Sequence, residues 1–156
     1  MLIPNQTKSL RQFFFACLGG VLGGISVASY FWLIFMPISL FILWKGSERK
    51  IANFWWGFFF ILISHSWLYD LHPLTWLGLS WIESLIITIA ILLFCAFFGG
   101  LLVYLWGLLV EILLWKENVF TMKILPLSVK VIFLSLTWGF GELILSQTPF
   151  FLDRFR

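Results

Sequence analysis

The sequence predicts an all-α integral membrane protein of about five transmembrane helices, of which the first two form a short hairpin. Of its 156 residues, 62% are hydrophobic and 11% are charged, and the mean hydropathy is +1.03. A water-soluble domain carries charged residues at roughly a quarter of its positions. The chain also contains ten Trp, whose rings favour the interface between bilayer and water. An ordinary soluble domain is therefore excluded.

The positions of the charged residues indicate how the predicted helices are oriented across the membrane. Ten Lys and Arg stand against seven Asp and Glu, giving a net charge of +3. The basic residues lie in short clusters between apolar runs, and such clusters mark the cytoplasmic ends of membrane helices. They form no continuous basic patch of the kind that binds nucleic acid, so we expect no nucleic-acid partner.

The first apolar run extends from Phe13 to Trp44, about 32 residues. As one helix it would measure about 48 Å, against a hydrocarbon core of about 30 Å. Basic residues flank both of its ends: Lys8, Arg11, Lys45, Arg49 and Lys50. Both ends should therefore face the cytoplasm, which predicts a hairpin with its turn near Ser29–Phe31.

Small residues and one proline give this hairpin its expected shape. The pairs Gly19-Gly20 and Gly23-Gly24 should let its two helices approach closely, and Pro37 should bend or break the second helix. A cleaved signal peptide ending near Ser29 is the alternative account of the N-terminus. It is disfavoured because another apolar span follows directly.

Three further spans complete the prediction. The third runs from about Phe54 to Tyr69 and ends in the turn-prone stretch 70–73. The fourth runs from about Ile82 to Val110, and its length predicts tilting or a kink at Gly99-Gly100. The fifth follows Pro126 and reaches about Ser146. No internal repeat is visible.

This arrangement gives a cytoplasmic N-terminus at residues 1–12, a helical bundle at 13–146 and a short extracytoplasmic tail at 147–156. The loop between the third and fourth spans should then lie on the outer side. Four aromatic residues cluster there, as in the aromatic belts of membrane proteins: Trp67, Tyr69, Trp76 and Trp81.

Two histidines lie near this loop. His65, Tyr69 and His72 follow an i, i+4, i+7 pattern, so they would share one face if the third helix continued that far. Two histidines could bind a metal or relay a proton, but no carboxylate or cysteine has matching spacing, so interfacial hydrogen bonding is favoured and no metal site is predicted. Ser64 and Ser66 adjoin His65, yet neighbouring helical residues point about 100° apart, which argues against a serine nucleophile.

Two carboxylates fall within apolar segments. Glu83 begins the fourth helix, where it complements the helix dipole and should act as a cap. Glu142 lies between Gly141 and an apolar run, four residues before Ser146. It needs a partner, a polar cavity, or contact with the outer interface.

No residue pattern in the chain indicates catalysis or a cofactor. The sequence contains no G-x-S-x-G, no H-E-x-x-H and no phosphate-binding glycine loop. Cys17 and Cys95 lie far apart within apolar stretches, so we expect buried thiols that serve packing.

The order of several segments resembles a known family. These segments are Tyr30–Leu33, Asn53–Phe60, Ser64–Gly78, Trp138–Glu142 and Ser146–Phe151. Together they are similar to the N-terminal membrane region of bacterial apolipoprotein N-acyltransferases, and most similar to cyanobacterial members. The resemblance covers nearly the whole chain. It implies a multi-pass protein of the bacterial inner membrane.

The resemblance also implies an activity. The family's enzymes move an acyl chain from a phospholipid to the N-terminal cysteine of a lipoprotein, through a thioester in a nitrilase-like domain with a Glu-Lys-Cys triad. Cys17 and Cys95 match no position of that triad, so we expect a truncated or split relative that is not catalytic alone. The candidate lipid-facing residues are His72, Trp76 and Glu142.

The implied partners are membrane phospholipid and a separately encoded catalytic portion, with a lipoprotein substrate only if that portion exists. Association would use small residues of the later helices: Gly99, Gly100, Gly139 and Gly141. The alternative function is a small transporter or channel subunit, with Glu142, Glu83 and Lys130 along a path. The absence of broken-helix repeats disfavours it.

Overall fold

The computed structural model describes residues 4–29, 32, 34–46, 50–114, 132, 136 and 139. Four α-helices are present there: α1 (Pro4–Ala28), α2 (Phe35–Gly46), α3 (Lys50–Ser64) and α4 (Trp81–Leu114). Two 3₁₀ helices, Ser66–Leu71 and Thr75–Leu77, lie between α3 and α4. The described residues contain no strand, and the predicted all-α class is confirmed.

Two of these helices are long and apolar enough to cross a membrane, over Leu10–Ala28 and Trp81–Glu111. The other two are apolar but shorter, with 12 residues in α2 and 15 in α3. A helix needs about 20 residues to cross a bilayer upright. The structure therefore places two candidate spans next to two helices that are too short to cross upright.

The chain divides into a compact unit of residues 1–107 and a second unit of residues 108–156. In the second unit, the end of α4 and three single helical residues are described. The predicted fifth span, with Lys130 and Glu142, and the predicted tail at 147–156 lie outside the described residues apart from those three. The contacts among α1, α2, α3 and the first part of α4 lie within the first unit.

The predicted hairpin is present. The first helix ends at Ala28 and α2 begins at Phe35, so the predicted turn at Ser29–Phe31 falls in the segment between them. The first helix starts earlier than its apolar run, at Pro4. Proline is favoured in a first helical turn, where its missing N–H has no intrahelical partner to lose.

The predicted effect of Pro37 is wrong. Helix α2 begins at Phe35, so Pro37 lies in its first turn, where the backbone N–H groups have no intrahelical acceptor. The proline therefore removes no hydrogen bond and fits at the start of the helix without breaking it.

The four glycines of α1 bring it close to α3 as well as to α2. A Cβ atom on Gly19 would lie 2.8 Å from Ile42 of α2 and from Trp56 of α3. One on Gly20 would meet the backbone of Trp56, and one on Gly24 would lie 2.6 Å from Ile63. The predicted close approach is therefore present, but its larger part joins α1 to α3.

Hydrogen bonds connect these three helices in the buried interior. The Ser39 hydroxyl of α2 donates to the Gly19 carbonyl of α1 at 2.6 Å, and the indole N–H of Trp56 donates to the Ser39 carbonyl at 3.2 Å. The side chain of Ser39 is fully buried. These bonds stabilise the bundle because a buried polar group without a partner is costly.

Glycines also set the contact between α3 and α4. A Cβ atom on Gly57 would lie 2.6 Å from Val103, and one on Gly100 would lie 2.8 Å from the Phe54 carbonyl. Ile61 packs against Gly99. The predicted kink site at Gly99-Gly100 therefore serves helix packing, and α4 continues as one helix through it. The same pair, expected to bind a partner, already contacts the chain's own α3.

Candidate functional site

The segment that joins α3 to α4, residues 65–80, carries most of the predicted site residues; we call it the α3–α4 connection. Its chain turns through the two 3₁₀ helices, with a cis peptide bond between His72 and Pro73. Gly78 adopts a left-handed backbone with φ of 74°, which glycine does without a Cβ clash. The third predicted span was expected to reach Tyr69, but α3 ends at Ser64.

His72 lies at the centre of a hydrogen-bonded cluster. Its Nδ1 atom lies 2.8 Å from the Ser84 hydroxyl, which also accepts the Leu74 backbone N–H at 2.7 Å. Ser84 is fully buried on α4. The cluster therefore attaches the connection to the first turn of α4 and holds the His72 ring in one orientation.

The other ring nitrogen of His72 is buried and lacks a hydrogen-bond partner in the described part of the chain. The Tyr69 ring lies 6.1 Å from the His72 ring, and the Trp81 ring lies 5.0 Å away, edge to face. A histidine with one nitrogen held and the other unused can donate or accept one further hydrogen bond.

The predicted face of His65, Tyr69 and His72 is only partly formed. The α-helical spacing no longer applies because α3 ends before His65. Tyr69 and His72 are neighbours, but the His65 ring instead approaches Trp67, with ring centroids 6.5 Å apart. The structure therefore brings two of the three predicted residues together.

Ser64 and His65 face one another, contrary to the sequence prediction. The Ser64 hydroxyl lies 3.0 Å from His65 Nδ1, because His65 has left the helix, with φ of −100° and ψ of 12°. The same hydroxyl lies 3.3 Å from the Ile61 carbonyl. Burial lowers the pKa of His65, an effect partly opposed by the Ile61 backbone. The Ser64–His65 pair does not by itself indicate nucleophilic catalysis, which would also need hydrogen-bond donors oriented toward a developing oxyanion.

An open cavity of about 430 Å³ lies beside this pair. Its walls combine hydroxyl, aromatic and carboxylate groups: Ala28, Ser64, Ser66, Trp67, Tyr69 and Asp70. Ala28 is the last residue of α1 and Ser64 the last of α3. The C-terminal ends of these two helices therefore lie on the same side of the bundle.

The predicted capping role of Glu83 is confirmed. Its carboxylate accepts the Ser80 backbone N–H at 2.9 Å and the Ser80 hydroxyl at 2.7 Å. The Ser80 hydroxyl in turn lies 3.4 Å from the Glu83 N–H. This reciprocal pair is a capping box, which starts α4 by satisfying backbone groups that have no helical partner.

The remaining site predictions have different outcomes. Trp76 is 76% exposed in the connection, whereas Glu142 lies outside the described residues. Cys17 and Cys95 are free and half-buried, on α1 and α4. The described residues contain no group of three metal-binding side chains. Sequence reasoning missed Ser84, whose only signal was a hydroxyl in the first turn of an apolar helix.

The known proteins to which this chain is similar include three that are each named apolipoprotein N-acyltransferase. One from Prochlorococcus marinus subsp. pastoris is 61% identical over 150 residues, covering 96% of this chain and 30% of the relative. One from another Prochlorococcus marinus strain is 40% identical over 151 residues, covering 97% and 30%. One from Parasynechococcus marenigrum is 38% identical over 136 residues, covering 87% and 28%.

The chain thus spans about 30% of the length of the relatives it matches. No family model and no solved structure matches it. The similarity agrees with the family resemblance of the sequence, and nothing in it supports the transporter or channel alternative.

Proposed function

Because this chain belongs to the apolipoprotein N-acyltransferase family and represents its N-terminal part, we propose that it forms the membrane-embedded portion of such a protein in a bacterial inner membrane. The observation that carries the proposal is the 61% identity across 96% of the chain. The two long apolar helices support it. So does the exposure of large apolar side chains along α4, such as Phe94 at 69%.

We propose a multi-pass topology with a cytoplasmic N-terminus. Lys8 and Arg11 precede the apolar part of α1, which favours a cytoplasmic start. Since the ends of α1 and α3 line one cavity, these helices run in the same direction and α2 returns between them. The α3–α4 connection would then lie at the extracytoplasmic boundary.

At this boundary the proposed role is contact with phospholipid. Trp76 is strongly exposed, and His72 keeps one buried ring nitrogen without a partner. An exposed indole favours the headgroup region, and the unpartnered ring nitrogen of His72 suits a phosphate or ester oxygen of a lipid that displaces the atoms covering it. Glu142 belongs to the same proposal on sequence grounds alone.

Acyl transfer itself is proposed to require the part of the family's sequence that this chain does not span. That part, on the same polypeptide or encoded separately, would be the partner of the bundle. A lipoprotein substrate would bind only in its presence. No catalytic residue is proposed among the described residues.

A chimera tests this proposal. The matched region of the Prochlorococcus marinus subsp. pastoris relative is replaced by this chain, and lipoprotein N-acylation is measured by mass spectrometry in a strain depleted of its own enzyme. The chimera should acylate as the relative does. A chimera that inserts and accumulates normally but gives no acylated lipoprotein would contradict the proposal.

Variants of the chimera test the boundary residues. His72→Leu and Trp76→Ala should each lower acylation several-fold, whereas Thr75→Ala, an exposed neighbour of Trp76, serves as the matched control. Equal acylation by all three variants would remove His72 and Trp76 from the proposed lipid contact.

Labelling of single cysteines tests the topology. In a background with Cys17→Ala and Cys95→Ala, Thr75→Cys should react with an impermeant thiol reagent applied from outside, and Ser47→Cys should not. The reverse pattern would invert the proposed orientation.

A further inference from the structure

We propose that Ser84 is a positioning residue that fixes His72 as the neutral tautomer with its proton on Nε2. The α3–α4 connection then offers its ligand a hydrogen-bond donor. The identity of the ligand rests on the proposed function, whereas the position of the proton follows from the hydrogen bonds of Ser84.

The Ser84 hydroxyl has two partners among the described residues. Its oxygen accepts the Leu74 backbone N–H at 2.7 Å and lies 2.8 Å from His72 Nδ1. A backbone N–H can only donate, so the bond from Leu74 leaves the hydroxyl proton unused. Within the described part of the chain, the acceptor that can receive this proton is His72 Nδ1.

Burial decides between the two neutral forms of the His72 ring. Ser84 is fully buried, so bulk water does not supply a missing partner. If Nδ1 carried the ring proton, it would donate to the Ser84 oxygen, and the hydroxyl proton would have no acceptor. The buried Nε2 atom would also be an acceptor without a donor. That form leaves two polar groups unsatisfied, whereas a proton on Nε2 leaves one, and each such group is costly.

The tautomer determines which kind of atom can bind His72. An Nε2–H group donates, so its ligand presents an acceptor, such as a phosphate or ester oxygen, and not a group that can only donate. The rings of Tyr69 and Trp81 pack against the imidazole and are 51% and 59% exposed. Because these side chains can rotate toward solvent, the ligand reaches Nε2 while the buried bond between Ser84 and Nδ1 stays in place.

Nitrogen-15 NMR of the full chain in a nonionic detergent measures the tautomer, since protonated and unprotonated ring nitrogens differ widely in frequency. The chain contains two histidines, so His65→Gln leaves only the ring signals of His72. The spectra are recorded well above the ordinary histidine pKa of about 6.5. We expect an unprotonated Nδ1 and a protonated Nε2. A protonated Nδ1 would overturn the proposal.

Ser84→Ala shows whether the serine is responsible, because an imidazole in water already prefers the Nε2–H form modestly. Loss of the hydroxyl should move the ratio of tautomers about five-fold toward Nδ1–H. Thr88→Val is the matched control. It removes a hydroxyl from another buried residue, 4% exposed and one turn later on α4, and should leave the ratio unchanged. An unchanged ratio in Ser84→Ala, or equal changes in both variants, would overturn the role of Ser84.

Lipid titration of the same sample identifies the acceptor. The probes are short-chain phosphatidylglycerol with ester-linked chains and its ether-linked analogue, which retains the phosphate but has no ester carbonyl. A shift of the Nε2–H proton with both lipids supports the donor and assigns the phosphate as acceptor. A shift with the ester-linked lipid alone supports the donor and assigns the ester oxygen. No shift with either would reject a lipid oxygen as the ligand of His72.

Two substitutions of His72 test the donor in the acylating chimera. Glutamine places a side-chain N–H near the position of Nε2, whereas the shorter asparagine places its amide near Nδ1. We expect His72→Gln to retain about five-fold more acylation than His72→Asn, and Thr88→Val to acylate as the unsubstituted chimera does. The reverse order of the two His72 variants would show that the bond at Nδ1 is the contribution of His72, and would overturn the proposal.

The spectra and the acylation assay separate the two proposals. A chimera that inserts but gives no acylated lipoprotein rejects the proposed function, while the spectra of the isolated chain still decide the tautomer. An acylating chimera together with a protonated Nδ1 in the isolated chain rejects the role of Ser84 and leaves the proposed function intact.

Discussion

The region where α1, α2 and α3 pack together differs from the region where α3 meets α4. The difference lies in how far buried polar groups have hydrogen-bond partners. Between the first three helices, Ser39 and the Trp56 indole N–H have partners. Around α4, by contrast, the fully buried amide of Asn53 and one ring nitrogen of His72 lack partners in the described part of the chain. In the first region one buried atom, Gln12 Oε1 of α1, also lacks a partner among the described residues. The two regions therefore differ in degree, and the second contains more groups that can gain a contact.

This difference suggests that the two regions of the molecule have different roles. Close glycine contacts and hydrogen bonds between helices join α1, α2 and α3 into a packed scaffold. The α3–α4 connection is held at Ser84 and at the capping box, but it presents exposed aromatic rings and an open cavity. Four predictions, which use six substitutions, can break or sharpen this comparison.

The largest effect is expected for Gly20→Leu in the scaffold. A Cβ atom there would meet the Trp56 carbonyl and lie 3.0 Å from Phe59, and backbone cannot move aside as a flexible side chain can. We expect a loss of stability of about 3 kcal/mol or more. Gly78→Ala in the connection is the matched control. It has open space around it and a φ of 74°, so its cost should be about 1 kcal/mol. Unfolding in a detergent titration measures the stability of both variants. Equal losses of stability would contradict the proposed difference between the two regions.

A smaller effect is expected for Ser84→Ala. This change leaves the Leu74 N–H and one nitrogen of His72 without the hydroxyl that joins them, at a cost of about 2 kcal/mol. Ser39→Ala removes one bond from the scaffold and should cost about 0.6 kcal/mol, the average for hydrogen bonds between membrane helices. If Ser39→Ala lowered stability more than Ser84→Ala, the hydrogen bonds of Ser84 would contribute less to stability than the bond donated by Ser39.

Asn53→Leu should leave stability unchanged or raise it by about 1 kcal/mol. The substitution removes a buried amide that has no hydrogen-bond partner and keeps a similar volume, and replacing an unsatisfied polar group by an apolar one removes its desolvation cost. Thermal unfolding in detergent provides the measurement. A clear loss of stability would show that the Asn53 amide has a partner in the folded protein.

The smallest effect concerns the pH dependence contributed by His65. Burial lowers the pKa of His65 below its ordinary value of about 6.5, so the unfolded chain binds this proton more readily than the folded chain. The contribution of His65 is present above the ordinary pKa and is lost as the pH falls below it. Stability should therefore fall slightly between pH 7 and pH 5. This slope should be shallower in His65→Gln, and an unchanged slope would assign it to another group.

The sequence was sufficient for features that depend on local patterns. The turn after Ala28 followed from the length of one apolar run and its basic ends. The cap at Glu83 followed from a carboxylate at a helix start, completed by Ser80 three residues earlier.

Features that depend on spatial neighbours could not be predicted in the same way. Gly20 and Gly24 showed that some helix approaches closely, but only the structure identifies it as α3. The end of α3 at Ser64 was missed because the apolar and aromatic pattern continues to Tyr69. That early end brings the Ser64 hydroxyl to His65 and forms part of the cavity wall. Pro37 was misjudged because its effect depends on where α2 begins.

The unequal lengths of the helices have a consequence for the surrounding lipid. The 34 residues of α4 extend about 51 Å, whereas the 12 residues of α2 extend about 18 Å. In a bilayer with a hydrocarbon core of about 30 Å, a long helix must tilt, and beside a short one the bilayer must become thinner. A protein built this way would deform its own membrane unevenly, and acyl chains on the thin flank would be shorter or more disordered than those beside α4.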